Sequence, residues 1–527
     1  MTDRGAGTGM DAQNGTDDGA GIDAGAGIGA VAGADAASVA DTTSRRRRIT
    51  PAATRILISA GVVIVLFAAF AIVHGGVLGR GGADSTRISS ISVRPAKATV
   101  STLADDLDTS ASVDTAAVQQ IVDDYSATAG LGTTYSIVVL DADGTQIAGH
   151  DADVAREPAS TTKTLTAYAA SATLDLNRTL DTQVFLRGSG SSSSSSSASA
   201  DGATIVLKGN GDVLLGDGES DSTHINGRAG LVTLARRTAD ALAADGISQV
   251  TLDYDDTLFG SKRLPDGIEE TNENYIYEMP ASSMAIDLDR QWGGGGEADP
   301  DRVTSYPSKT DTPALNVATR FAQLLAEDGI VVTNADAPVS AAVGDGDTQL
   351  TSVSSAPLWQ VMSFMLKNSS NTLAEEFGRL VALQAGYENS PEGAARAVTD
   401  IITNAGIHSD GLELRDCSGL TLGTRISALT LADVQRHLAT MGETASAPVL
   451  EGLIVPGIDR LHGTYGEASY GVLFTKTGTL SNVRSLAGTA TTTNGGALFF
   501  AVVCVDMGDF AAVGNANEAF AGSLAAL

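Results

Sequence analysis

The sequence predicts an α+β fold: an antiparallel sheet assembled from both ends of one folded segment, covered by helices, and interrupted by an inserted domain. Three observations predict it. Strand-like apolar runs begin at Tyr135 and return at 472–476, 484–491 and 497–505, with helix-like patterns between them. A Gly/Ser-rich stretch at 188–203, with almost nothing able to build a core, breaks the chain early in that interval. The length of 527 residues is about three to four times a typical domain of ~150, so a single uninterrupted domain is not expected.

Taken in order, residues 1–44 are mostly Gly, Ala, Asp, Ser and Thr, which predicts a disordered cytoplasmic tail. A basic flank at 45–55, with Arg45 to Arg48 and Arg55, leads into 56–78, which carries no charged residue. At about 1.5 Å per residue, that span crosses a hydrocarbon core about 30 Å thick. Arginines on its N-terminal side predict a single-pass anchor in the cell membrane, with a cytoplasmic N-terminus and everything beyond it exported. The rival is a cleaved signal peptide, but a cleavage site at Ala69 or Ala71 would fall inside the apolar run. Residues 79–115, rich in Ser, Thr, Ala and Asp, are expected to form a stalk.

Beyond the stalk, the strand from Tyr135 meets Asp-Ala-Asp-Gly at 141–144 and a second apolar run, a hairpin signal. Pro158 announces a helix over Ser160 to Ala170. Val184–Leu186 and Thr204–Leu207 read as two partners of one hairpin, split by the serine run. Helices follow near 228–244 and 314–328, with a strand at 248–254. Another helix runs from Pro357 through Met365, one begins near Asn371, and an Ala-rich helix closes the chain from about 515.

Charge and composition exclude several functions. A formal net charge of −30 repels phosphate backbones, so no nucleic-acid partner is expected. Two distant cysteines exclude a disulfide framework; Cys417 and Cys504 are either one bridge or, as expected, two buried thiols. Six scattered histidines lack metal-ligand spacing, so neither metal nor cofactor is expected.

Three short motifs carry chemistry. Ser160 and Lys163 stand three apart at a predicted helix start, which lays the amine over the hydroxyl. A serine becomes a nucleophile when a base takes its proton, and a desolvated lysine can be that base. Ser369-Ser370-Asn371 offers a hydroxyl to relay a proton and an amide to grip a carbonyl. Lys476-Thr477-Gly478-Thr479 lies in a predicted strand, where glycine would let a substrate backbone approach closely.

In this order, the motifs resemble the Ser-x-x-Lys, Ser-x-Asn, Lys-Thr-Gly set of penicillin-recognising serine acyltransferases. The resemblance sharpens to class C low-molecular-mass penicillin-binding proteins, the D-alanyl-D-alanine carboxypeptidase/endopeptidases. It rests also on Glu157 to Ala167, on Lys208-Gly209-Asn210-Gly211-Asp212, and on Ser355-Ala356-Pro357-Leu358. Asn371 to Glu375, Asp416-Cys417-Ser418-Gly419-Leu420 and Lys476 through Gly488 complete it, over about 115–527. Ser370 stands where many relatives have Asp, with little consequence expected.

The resemblance implies a β-lactamase-like transpeptidase domain in two parts, 116–186 and 341–527, around an inserted domain at 187–340. A smaller insert of the family is expected to be reduced, since Asp287 to Thr312 is short and Gly-rich. It implies Ser160 as nucleophile, Lys163 as base and Ser369 as proton relay. Asn371, Lys476, Thr477, Gly478 and Thr479 would bind substrate, with the N–H groups of Ser160 and Thr479 as oxyanion hole. The implied partners are peptidoglycan stem peptides ending in D-Ala-D-Ala, with β-lactams as acylating inhibitors. A β-lactamase is the rival within the same chemistry, but no Glu-x-x-Leu-Asn motif lies between Ser160 and Ser369. A catalytically weak wall-binding protein would have lost one of these groups, and all are present.

Overall fold

The computed structural model describes residues 111–188, 202–293, 295–441, 443–459 and 464–527. The expected tail, basic flank and membrane span, nearly all of the stalk, and most of the serine-rich loop lie outside the described residues. Among the described residues, no helix is long and apolar enough to cross a membrane.

The first helix, α1 (Thr115–Ser126), is capped by Asp114, whose carboxylate accepts the Ala116 and Ala117 N–H groups at 3.0 and 3.1 Å. Strands β1 (Tyr135–Leu140) and β2 (Gln146–His150) form the expected hairpin. A 3₁₀ turn, Ala159–Thr162, opens α2 (Lys163–Thr173). Next come β3 (Asp181–Leu186), β4 (Ala203–Lys208), β5 (Asp212–Leu215), α3 (Leu231–Ala244), β6 (Gln249–Asp255) and β7 (Met284–Ile286). The chain continues with α4 (Pro313–Glu327), β8 (Val331–Val332), β9 (Val339–Ser340) and β10 (Thr348–Ser354). Five helices follow in succession: α5 (Leu358–Lys367), α6 (Asn371–Ala385), α7 (Pro391–Asn404), α8 (Ala428–Thr440) and α9 (Glu443–Gly452). Strands β11 (Leu473–Leu480), β12 (Val483–Thr491) and β13 (Ala497–Val505) lead to α10 (Phe510–Ala525).

The main sheet is antiparallel, in the order β11-β12-β13-β1-β2, so both ends of the folded segment build it. Its central strand β13 reads Ala-Leu-Phe-Phe-Ala-Val-Val-Cys-Val because both faces are covered. Phe499, Ala501 and Val503 turn toward α2, α6 and α8, where Leu165, Phe377 and Val434 meet them in one core. Leu498, Phe500, Val502 and Cys504 turn the other way, onto Val122 of α1 and Phe520 and Leu524 of α10.

A second sheet runs β10-β3-β4-β6-β8, with β9 also pairing β6, around a separate core that includes Leu207, Leu234 and Phe321. In it, β3 and β4 pair antiparallel, Val184 opposite Leu207 and Leu186 opposite Ile205, as the split hairpin requires. Strands β3 and β10 extend this sheet a few residues beyond 187–340 on either side. They pair antiparallel with each other, and this ties the two chain crossings together at Asp181 and Ser354.

Candidate active site

The site is built from three walls, each carrying one motif. On the first, Ala159 enters the 3₁₀ turn at φ +51°, a conformation non-glycine residues hold only under restraint. The restraint is local: the Thr161 and Thr162 hydroxyls donate to the Pro158 and Ala159 carbonyls, both at 2.8 Å. Positions i and i+3 eclipse in a 3₁₀ turn, tighter than on the α-helix the sequence suggested. Lys163 Nζ accordingly lies 2.9 Å from Ser160 Oγ. The Lys163 side chain is buried, and Nζ also donates to Asn371 Oδ1 at 2.6 Å and to the Ser418 carbonyl at 2.8 Å.

The second wall is the N-terminus of α6. Ser370 caps it by accepting the Leu373 N–H at 3.3 Å, which explains why this middle position serves the helix rather than the cleft. Ser369 is held at φ +53° just before the cap. Its Oγ accepts from Lys476 Nζ at 2.9 Å. Asn371 Nδ2 donates to the Tyr277 carbonyl at 3.3 Å, so the amide is oriented with Oδ1 toward Lys163.

The third wall is β11, an edge strand of the main sheet. Thr475 exchanges both backbone hydrogen bonds with Ile454, at 3.0 and 2.8 Å, on the side away from β12. By alternation, Thr477 and Thr479 present their backbone groups to that same outer edge. Lys476 is buried and also donates to the Thr477 carbonyl at 2.9 Å. Gly478 has a different reason than the one expected. A Cβ there would fall 2.1 Å from Ser485 Oγ, 2.6 Å from the Pro158 carbonyl oxygen and 3.1 Å from the Ser160 nitrogen. Glycine is demanded by the chain's own nucleophile turn, against which β11 packs, before any substrate arrives.

The structure thus brings Ser160, Lys163 and Asn371 together, joins Ser369 to Lys476, and runs Thr477, Gly478 and Thr479 past the nucleophile turn. Burial pushes the Lys163 amine down to about 8, against the opposing pull of Asp416, Glu278 and Glu375. These three acids and the Ser418 and Tyr277 carbonyls were not among the expected site groups. Asp416 to Gly419 stood out in the sequence only as one of the stretches that carry the family resemblance. Cys417 and Cys504 are free, buried thiols. His224 and the near neighbours Asp299 and Asp301 place ligand-type atoms within 4.8 Å of one another. Asp301 there already accepts the Ile225 and Asn226 N–H groups at 2.9 and 2.8 Å, stapling two loops.

Comparison with known proteins gives the family and the fold. A carboxypeptidase of Mycobacterium tuberculosis is 32% identical over 406 residues, spanning 72% of this chain and 80% of that protein. The carboxypeptidase DacB of Mycolicibacterium smegmatis is 30% identical over 378 residues, 70% of this chain and 76% of its own. Among solved structures, penicillin-binding protein 4 of Haemophilus influenzae shares the fold with a TM-score of 0.60 at 18% identity, covering 77% of this chain and 98% of that one. Residues 117–292 and 297–527 match one family description. The chain belongs to the D-Ala-D-Ala carboxypeptidase 3 (S13) family.

Proposed function

We propose that this chain is a serine-type D-alanyl-D-alanine carboxypeptidase that cleaves the terminal D-Ala from peptidoglycan stem peptides through an acyl-enzyme on Ser160. The observation that carries this reading is the set of partners around Lys163 Nζ. A neutral amine has two N–H donors and one lone pair. The Asn371 Oδ1 and Ser418 carbonyl partners can only accept, so they take both donors. The lone pair is left for Ser160, whose hydroxyl alone can donate.

In the reaction, Ser160 Oγ attacks the carbonyl of the penultimate D-Ala while Lys163 takes its proton. The oxyanion faces the Ser160 and Thr479 N–H groups, a contribution of about 10²–10³ in rate. Ser369, linked to Lys476, relays to the departing amine the proton that Lys163 took, so the C–N bond breaks and Lys163 is left neutral. Lys476 and Thr477 bind the terminal carboxylate, Asn371 holds the peptide, and the free edge of β11 supports it as an added strand. Water then attacks the ester and releases the shortened peptide. A β-lactam presents the same carbonyl and carboxylate, so it acylates Ser160; the Haemophilus protein has been solved with a β-lactam bound. The charge pattern of 45–78 supports placing this chemistry outside the cell membrane, on a single anchor with a cytoplasmic N-terminus.

Fluorescent-penicillin labelling and D-Ala release from a tripeptide ending in D-Ala-D-Ala test the proposal. Wild type should do both and Ser160→Ala neither; full labelling of Ser160→Ala would overturn it.

A further inference from the structure

Around Lys163 gather buried acidic groups that the chemistry above does not use. Glu375 stands one helical turn after Asn371 on the same face of α6 and is buried. Its Oε1 accepts the Cys417 N–H at 2.5 Å. The Cys417 carbonyl accepts from Thr166 Oγ1 at 2.6 Å, and the next carbonyl, that of Ser418, is the one that Lys163 meets. Asp416 holds the same turn from within, accepting the Ser418, Gly419 and Thr421 N–H groups at 3.0, 2.5 and 2.6 Å. There is no slack against α6: a Cβ on Gly378 would fall 2.2 Å from Cys417 Sγ.

We propose that Glu375 is a positioning residue for Lys163: by holding the Cys417 amide it aims the Ser418 carbonyl at Nζ. The inference rests on the acyl-enzyme reading of the site and adds to it. A neutral Lys163 turns its lone pair to Ser160 only while both acceptors hold its two N–H groups. If the Ser418 carbonyl drifts, the amine is free to rotate and the nucleophile loses its base.

The hydrogen bond, not a charge, carries the effect. The titratable groups facing this pocket are Glu375 and Arg379 from α6, Glu278 from the segment before β7, Asp416 and Cys417 from the turn, and Lys163 itself. Burial, then repulsion by Asp416, raises the Glu375 carboxyl to about 8, against the Cys417 N–H and Arg379; burial, then Glu375 and Asp416, raises Glu278 well above the ordinary carboxyl range. Glu375 is therefore largely protonated over the acid limb of Lys163, and its oxygen still accepts the Cys417 N–H there.

The test is the penicillin acylation rate of the full-length protein across pH for wild type, Glu375→Gln and Glu375→Leu, with Ser160→Ala alongside. Glutamine keeps an acceptor but no charge. Its plateau rate should stay within about threefold of wild type, with the acid limb in place. Leucine removes the acceptor, and its acylation rate constant should fall by about tenfold or more with the non-covalent encounter constant unchanged. A tenfold loss in Glu375→Gln, or wild-type rates in Glu375→Leu, overturns the inference. Should Glu375→Leu fail to fold, Glu375→Asp, whose shorter side chain withdraws the acceptor from the Cys417 amide, is read in its place with the same expected loss. Failure of wild type to label at Ser160 would instead overturn the acyl-enzyme reading.

Discussion

The two motif lysines are both buried cations, yet their partners give them opposite requirements. Lys163 must become neutral to accept a proton, and its Nζ is enclosed by Ser160, Asn371 and Ser418. Lys163→Arg should therefore abolish acylation by peptide and penicillin alike, because a guanidinium stays protonated at working pH. As the proposed carboxylate anchor, Lys476 needs only charge and reach toward Ser369 and the substrate. Lys476→Arg should keep partial activity, and Lys476→Ala should lose about 2–5 kcal/mol of transition-state binding. Peptide hydrolysis and penicillin acylation rates of the three variants decide this, and near wild-type acylation by Lys163→Arg would remove Lys163 as the base. The pH profile follows with its sign. With the amine lowered to about 8, acylation should rise with pH and level off near that value. Below it, the rate should fall about tenfold per pH unit as Lys163 protonates. Gly478→Ala is a test of packing: its Cβ meets Ser485 Oγ and the Pro158 carbonyl, so labelling and melting temperature should both drop, at a cost of about 1–3 kcal/mol. At this scale, the side chains that the structure gathers around Ser160 and Lys476 were legible, since Ser160, Lys163, Ser369, Asn371 and Lys476 announce themselves by type and spacing. The Ser418 and Tyr277 carbonyls were not, because a backbone acceptor has no residue type. Glu375 was quoted within a motif, but only the fold places it beside Cys417.

Among the elements, strands were easier to read than the helices that cover them. The β13 run is apolar on both faces and bounded by turns, so its burial is visible without a partner. The sequence reading passed over α7, α8 and α9, although Ser390 followed by Pro391 is a helix start that the structure uses: Ser390 Oγ accepts the Gly393 N–H at 3.1 Å. The closing helix starts earlier than expected, at Phe510, because the Asp509 carboxylate caps it at Ala511 and Ala512. Pairing of β3 with β4 carries a prediction about the serine run between them. Register is fixed by Val184 against Leu207 and by the Arg187 N–H on the Thr204 carbonyl at 2.9 Å, with Val184 and Leu207 both buried. A connection of this composition is expected to add only closure entropy, which grows slowly with length. Replacing 189–200 by a short Asn-Gly turn should leave the acylation rate within about twofold and the melting temperature unchanged or higher. A tenfold loss of acylation would mean that the run contributes to the active site.

Across the whole molecule, the charge balance and the N-terminal pattern bear on how the protein is held at its workplace. Residues 1–78 carry nearly balanced charge, so almost all of the net −30 belongs to the part beyond the uncharged span. An acidic body of that kind is repelled by anionic lipid surfaces, and electrostatic adhesion cannot retain it. The proposed retention at the membrane would have to come from burying an apolar segment, and 56–78, behind the arginines at 45–48 and 55, is the stretch with the length and composition for it. The two mechanisms respond oppositely to salt, since screening weakens charge adhesion and leaves hydrophobic insertion intact. Full-length protein should therefore stay with the membrane fraction through a wash in molar salt, come off in detergent, and keep its original N-terminus by mass spectrometry. A chain lacking residues 1–78 should be soluble and still labelled by fluorescent penicillin, because the groups around Ser160 all lie in 157–488. Recovery of the native protein as a soluble form beginning after residue 71 would show that the span is a cleaved signal and that the protein is released.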